Sequence, residues 1–92
     1  MARGPFRQLR RKIVTALNKE GFLVRRFPGH VPQYGILHGN AQVGLLVPLS
    51  DGYHLSMDIE YAPRVREALP PSFEMPYGKN VKFAYEAGSA LH

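Results

Sequence analysis

Cysteine and tryptophan are absent from this 92-residue chain. Without thiols there is no disulfide, no thiolate metal site and no cysteine nucleophile, and the composition suits a reducing compartment. No apolar run approaches the roughly 20 residues that a membrane-spanning helix needs. The first apolar residues are interrupted by Arg and Lys as far as Lys19, unlike the continuous core of a secretory signal. These absences lead us to expect a soluble, cytoplasmic protein with no membrane partner.

Acid is scarce where base is dense. Residues 1–26 carry Arg3, Arg7, Arg10, Arg11, Lys12, Lys19, Arg25 and Arg26 against the single acid Glu20, a net charge of +7, whereas the other 66 residues sum to −2. A basic excess spread evenly is a matter of solubility; one gathered in a quarter of the chain makes a directed field.

What is present reads as one folded domain over residues 1–92, with a frayed tail at 88–92. Hydrophobic residues make up 45% of the chain and include five Tyr and five Phe, enough for one modest core. Phe6, Leu9, Ile13, Ala16 and Leu17 recur at three- and four-residue steps, which predicts an amphipathic helix over Phe6 to Glu20, led in by Pro5 and capped by Gly21. Its apolar stripe leaves Arg3, Arg7 and Arg11 on one flank and Lys12 and Lys19 on the other. Phe22 to Phe27 reads as a strand carrying Arg25 and Arg26.

After a loop rich in Pro and Gly, a short strand is expected over Tyr34 to His38 and another over Val43 to Leu49. Pro48 marks the latter as an edge or a strand end, and if unpaired it is available to a second copy. Ser50-Asp51-Gly52 is a tight turn. Beyond it, Tyr53, Leu55, Met57, Ile59 and Tyr61 alternate with His54, Ser56, Asp58 and Glu60 as a half-buried strand. Ala62 to Leu69 is a short helix with Pro63 at its start, Glu74 to Asn80 a loop, and Val81 to Glu86 a last strand. The order implies an α+β fold: an N-terminal helix on a mainly antiparallel sheet of four to five strands.

Chemical motifs are missing. Gly29, Gly35, Gly39 and Gly44 fit no phosphate-loop or dinucleotide fingerprint, there is no Gly-x-Ser-x-Gly, and Ser50, Ser56, Ser72 and Ser89 have no placed base. His30, His38, His54 and His92 show no ligand spacing. On one strand face His54 and Asp58 lie about 13 Å apart, while Asp58 and Glu60, at about 6.6 Å, frame Mg²⁺ only with help from another strand. A helix, then "EGFLVRRFPGH", then a hairpin ending in "MDIEY" is loosely similar to the opening of the restriction-endonuclease-like nucleases, which hold metal through an Asp and a Glu-x-Lys. No acid lies between Glu20 and Asp51, and Ile-Glu-Tyr-Ala follows Asp58 without the lysine. The resemblance implies at most a relative without its metal centre. We expect no enzyme, no metal and no cofactor.

Clustered Arg and Lys are the residues that neutralise phosphates. The sequence therefore predicts a non-enzymatic nucleic-acid-binding domain that contacts the DNA or RNA backbone through Arg3, Arg7, Arg10, Arg11, Lys12, Arg25 and Arg26. Any base selectivity would come from the loop Pro28 to Asn40, and Phe22, Phe27, Tyr34 and Tyr53 are possible stacking platforms. The alternative is an interaction protein, such as a phage or mobile-element inhibitor, that docks its basic patch on an acidic surface of a host nucleic-acid machine. A Mg²⁺-dependent nuclease using Asp58 and Glu60 is a lesser alternative. Oligomeric state and nucleic-acid type are left open by the sequence.

Overall fold

The computed structural model describes residues 3–87, Arg3 by its backbone alone; the expected tail at 88–92 lies outside the described residues. Helix α1 spans Arg3–Lys19, followed by strands β1 Leu23–Phe27, β2 Gln33–His38, β3 Ala41–Pro48 and β4 Gly52–Asp58. A 3₁₀ turn at Ile59–Tyr61 leads into helix α2 Ala62–Ala68, and strands β5 Phe73–Tyr77 and β6 Asn80–Glu86 close the chain. The six strands form one antiparallel sheet in the order β1-β2-β3-β4-β6-β5. The predicted α+β class and helix-on-sheet architecture hold, with one strand more than the upper expectation.

The end of α1 follows from Gly21. At φ 91° it takes the left-handed turn that a side chain disfavours, and it lets Phe22 N–H donate to Leu17 C=O (3.0 Å) while its own N–H donates to Asn18 C=O (3.1 Å). These two bonds satisfy carbonyls that a helix end leaves orphaned. The chain reverses, and Phe22 drops into the core.

Leu9, Ile13 and Leu17 of α1 are buried against Ile36, Leu46, Leu55, Met57 and Phe83 of the sheet, and Ala62 and Val65 of α2 join the same cluster. Each such side chain contributes roughly 1.5–3 kcal/mol by leaving water. No charged residue is buried among the described residues, and the core is apolar but for the hydroxyls of Tyr53 and Tyr85. Both helices bury their apolar sides in this cluster, on one face of the sheet. The opposite face, with Leu23, Phe73, Met75 and Tyr77 exposed, carries neither helix.

Two expectations need correction, and a third, stated as two alternatives, is decided. Glu74 to Asn80 is a hairpin, because Pro76 sits on the outermost strand β5, where a missing N–H costs no ladder bond, and Gly78 at φ 63° supplies the turn. The strand predicted to end at Tyr61 ends at Asp58. Ile59 to Tyr61 wind into a 3₁₀ turn, so Asp58 and Glu60 are not neighbours on one strand face. Finally, β3 is paired on both sides and Pro48 is its last residue, so this segment is a strand end with no free edge for a second copy.

Tyr85 shows how the sheet and α2 are joined. Its ring is buried and its hydroxyl donates to Leu69 C=O over 2.8 Å, just past the end of α2. Burial holds its phenol far above the ordinary value, with Glu74 adding a smaller push in the same direction. Because the neutral form is favoured in the folded state, this stabilisation is complete below about pH 10, where an unfolded tyrosine titrates. It is lost as pH rises further. Alkaline titration followed by tyrosinate absorbance and circular dichroism together should show a late absorbance step coincident with unfolding. Tyr85→Phe should abolish that step and lower stability by about 1 kcal/mol through the unpaired Leu69 carbonyl.

Candidate nucleic-acid interface

The cations of residues 1–26 take positions set by two periodicities. Around α1, the 3.6-residue repeat that buries Leu9, Ile13 and Leu17 turns Arg7, Arg11, Lys12 and Lys19 to solvent, and all four are exposed. Arg10 lies on the edge of the apolar stripe and is half-buried. Along β1, the two-residue repeat sends Arg25 and Arg26 to opposite faces. Arg26 pairs with Tyr34 and shares the helix-bearing face with Val24 and Ile36; Arg25 pairs with Gly35 on the open face. The side chain of Arg3 lies outside the described residues.

The structure therefore divides the seven predicted site residues. Arg11 and Lys12, with Lys19 and the acid Glu20, line a groove of about 580 Å³ between α1 and α2, together with Ala68 and Leu69. Arg10 and Arg26 meet on the other flank of α1, in a second cleft of about 580 Å³ with Tyr34 and Tyr53. Arg7 stands on the exposed side of the helix, and Arg25 is separated from all of these by the sheet.

Neutralisation of these charges by internal acids would leave no interface, so the acids matter. The ion pairs Arg64–Glu20 (3.6 Å) and Arg66–Glu74 (2.5 Å) take their cations from α2. Glu20 is the only acid within residues 1–26, and it is held by Arg64, which also donates to the Glu20 carbonyl and lies over the rings of Phe22 (5.1 Å) and Tyr61 (5.9 Å). A cation at this point also answers the negative end of α1. The fold uses an arginine from outside the cationic segment to satisfy the one acid inside it.

In the second cleft, the Arg10 guanidinium donates to the Tyr34 hydroxyl (3.3 Å). Tyr53 is 5% exposed, its ring set edge-on to Phe6 with centroids 6.3 Å apart. Burial raises its phenol above the ordinary value, against the opposing pull of Arg10. Val14, Val24, Pro32 and Pro48 form the apolar walls.

At the far end of the sheet, the His38 ring lies tilted against both Phe22 and Tyr61 at centroid distances of 5.6 and 5.2 Å, with Tyr61 hydroxyl 3.4 Å from its Nδ1. On the open face, His54, Ser56 and Asp58 are spaced along β4, with Ser56 beside Lys82 and Asp58 beside Asn80. Among the described residues no three of His, Asp and Glu converge on a point that holds a metal ion. No helix among them is long and apolar enough to cross a membrane.

Sequence reasoning put Lys12 and Lys19 on one flank of α1, as found, but set Arg11 on the other, whereas Arg11 lines the same groove as both; nor did it foresee that Tyr34 and Tyr53 join Arg10. The pairing of Arg26 with Tyr34 and of Tyr53 with Pro48 is a matter of register, which only the folded sheet supplies. The chain matches no protein-family model, and comparison with curated proteins and with solved structures returns no match.

Proposed function

We propose that this domain binds DNA or RNA without catalysing a reaction, holding the phosphate backbone against the exposed side of α1. One observation carries this reading: Arg7, Arg11, Lys12 and Lys19 stand exposed on a single helix while the only acid in their segment is held by Arg64. Surface helices ordinarily mix charges of both signs, which gains a few tenths of a kcal/mol per pair; α1 forgoes this and accepts Arg7 and Arg11 as like charges one turn apart. Charges so arranged act on something outside the molecule, and phosphates with their displaceable counterions are the ligand they fit. A gel-shift panel of single- and double-stranded DNA and RNA at two salt concentrations tests it. Retarded species at low salt that fade at physiological salt are expected; no retardation with any of the four at low salt would overturn the reading.

A second reading draws on the open face of the sheet. At its β5 edge Phe73, Met75 and Tyr77 are 60, 41 and 66% exposed and Lys82 lies 5.3 Å over the Tyr77 ring, while Leu23 and Arg25 lie on β1 at the opposite edge. Exposed aromatic side chains gathered on one edge with a cation over them are the make-up of a protein-binding hot spot. This favours the docking of the domain on a host nucleic-acid machine, in the manner of a phage or mobile-element inhibitor. Under this reading a specific protein partner stays bound after nuclease treatment and is lost on Phe73→Ala with Tyr77→Ala; under the first, recovery ends with the nuclease.

A further inference from the structure

The cleft at Arg10 differs in kind from the rest of the cationic surface. On the exposed side of α1, guanidinium and ammonium groups stand in bulk water, where one phosphate serves as well as the next. In the cleft, Arg10 is half-buried and its contact is an uncharged oxygen, the Tyr34 hydroxyl at 3.3 Å. No carboxylate is among the described residues that line the space. A guanidinium carries five N–H donors in one plane, so this bond leaves most of them free. Tyr34, having accepted from Arg10, retains its own proton to donate.

Arg26 brings a second guanidinium from the same register row as Tyr34, and Tyr53 a second hydroxyl. Two positive charges and two neutral donors thus border one concave space of about 580 Å³. A partly desolvated cation without a counter-charge is costly, and an anion that enters recovers that cost. The donor set also selects among anions. A backbone phosphodiester offers a single negative charge, whereas a phosphomonoester carries about −1.5 to −2 at neutral pH and three terminal acceptor oxygens. The latter matches two guanidiniums and two hydroxyls. The volume suits one nucleotide-sized group, and the walls of two valines and two prolines suit the apolar faces of a sugar and base.

We propose that the Arg10–Arg26–Tyr34–Tyr53 cleft binds the terminal phosphomonoester of a nucleotide, presented by the end of a nucleic-acid strand. That the strand is the source rests on the nucleic-acid reading above; the phosphomonoester chemistry rests on the cleft alone. The test measures binding of the full chain, by fluorescence anisotropy, to one oligonucleotide carrying either a 5′-phosphate, a 3′-phosphate or hydroxyls at both ends. A nucleoside 5′-monophosphate is titrated separately by NMR.

One phosphorylated end should bind about tenfold or more tightly than the hydroxyl form, since charge-assisted bonds to a dianion are the stronger kind. The mononucleotide should shift the Tyr34 and Tyr53 ring signals. The preference ratio is the diagnostic quantity. Arg7→Ala with Arg11→Ala weakens every form and leaves the ratio intact, whereas Tyr34→Phe and Arg10→Gln each bring it close to one. Tyr34→Phe keeps the ring, so loss of folding does not confuse the result.

Equal binding of all three oligonucleotides, with no ring shifts from the mononucleotide, would overturn the cleft while leaving the backbone reading in place. A ratio that survives both cleft variants would also overturn it. Ring shifts from the mononucleotide with no binding of any oligonucleotide would uphold the phosphomonoester site, assign it to free nucleotides and overturn the strand reading.

Discussion

Gly52→Ala is expected to melt at least about 15 °C below the parent chain, the largest effect of any single methyl group added to this fold. Gly52 opens β4 opposite Glu86, at the point where the central strand β4 meets β6. A Cβ built there falls inside the contact distance of the Tyr85 carbonyl oxygen, 2.9 Å from Tyr85 carbonyl carbon and 3.0 Å from Glu86 Cα. All three are backbone atoms, so no rotamer change relieves the clash; the strands must part. The turn is bound on both sides, Leu49 N–H donating to Gly52 C=O and Ala87 N–H to Asp51 C=O. Parting the strands therefore strains those bonds as well.

Overpacking of this kind costs about 3 kcal/mol, a large share of the roughly 5–14 kcal/mol that a chain of this length has to lose. Gly4→Ala provides the control. A Cβ at Gly4 meets no described atom within 4 Å, and the residue lies inside α1. There the same change should raise stability by about 0.5–1 kcal/mol through the smaller entropy loss of alanine. Opposite signs in thermal melts of the two variants are the expected outcome.

The second large effect separates function from stability. Arg7, Arg11, Lys12 and Lys19 replaced together by Gln should lower affinity for any bound nucleic acid by about a hundred- to a thousandfold near ~0.1 M salt, since each lost phosphate contact forfeits the release of roughly one counterion. Stability should hold or rise. Glutamine is as good a helix former as lysine, the four positions are exposed, and repulsion between neighbouring cations is removed. Residues that maintained the fold would behave in the opposite way. Loss of folding with unchanged binding per folded molecule would show that these cations serve structure.

Much of this fold was legible before any coordinates. The helix stripe, the cap at Gly21 and the alternation through Met57 each followed from one local rule that tertiary packing did not oppose. The failures share a cause: the meaning of a residue depended on its place in the sheet. Pro76 and Gly78 look like loop punctuation, yet on the outermost strand a proline is tolerated and the glycine becomes a hairpin turn. Pro48 is compatible with an edge or a strand end, and only the pairing of β3 on both sides decides for the end. Ile59 and Tyr61 continue the alternation in sequence alone; Tyr61 instead turns its ring edge-on to Phe22, with centroids 5.4 Å apart, and ends the strand.

The candidate site divides in the same way. That α1 is cationic on its outer side could be read from the 3.6-residue period. Sequence reasoning sets Arg25 and Arg26 on one surface with the helix cations, whereas strand alternation sends them to opposite faces and the register puts Arg26 on the side of the helix. The meeting of Arg10 with Tyr34, 24 residues away in sequence, could not be read from either repeat.

The central claim, that the cations of α1 are held for phosphates, is tested most directly by the salt dependence of binding to a short duplex by the unmodified chain. If four or five side chains displace counterions, log Kobs falls against log salt with a slope of about −4. A slope near zero, with affinity the same at low and physiological salt, would contradict the claim.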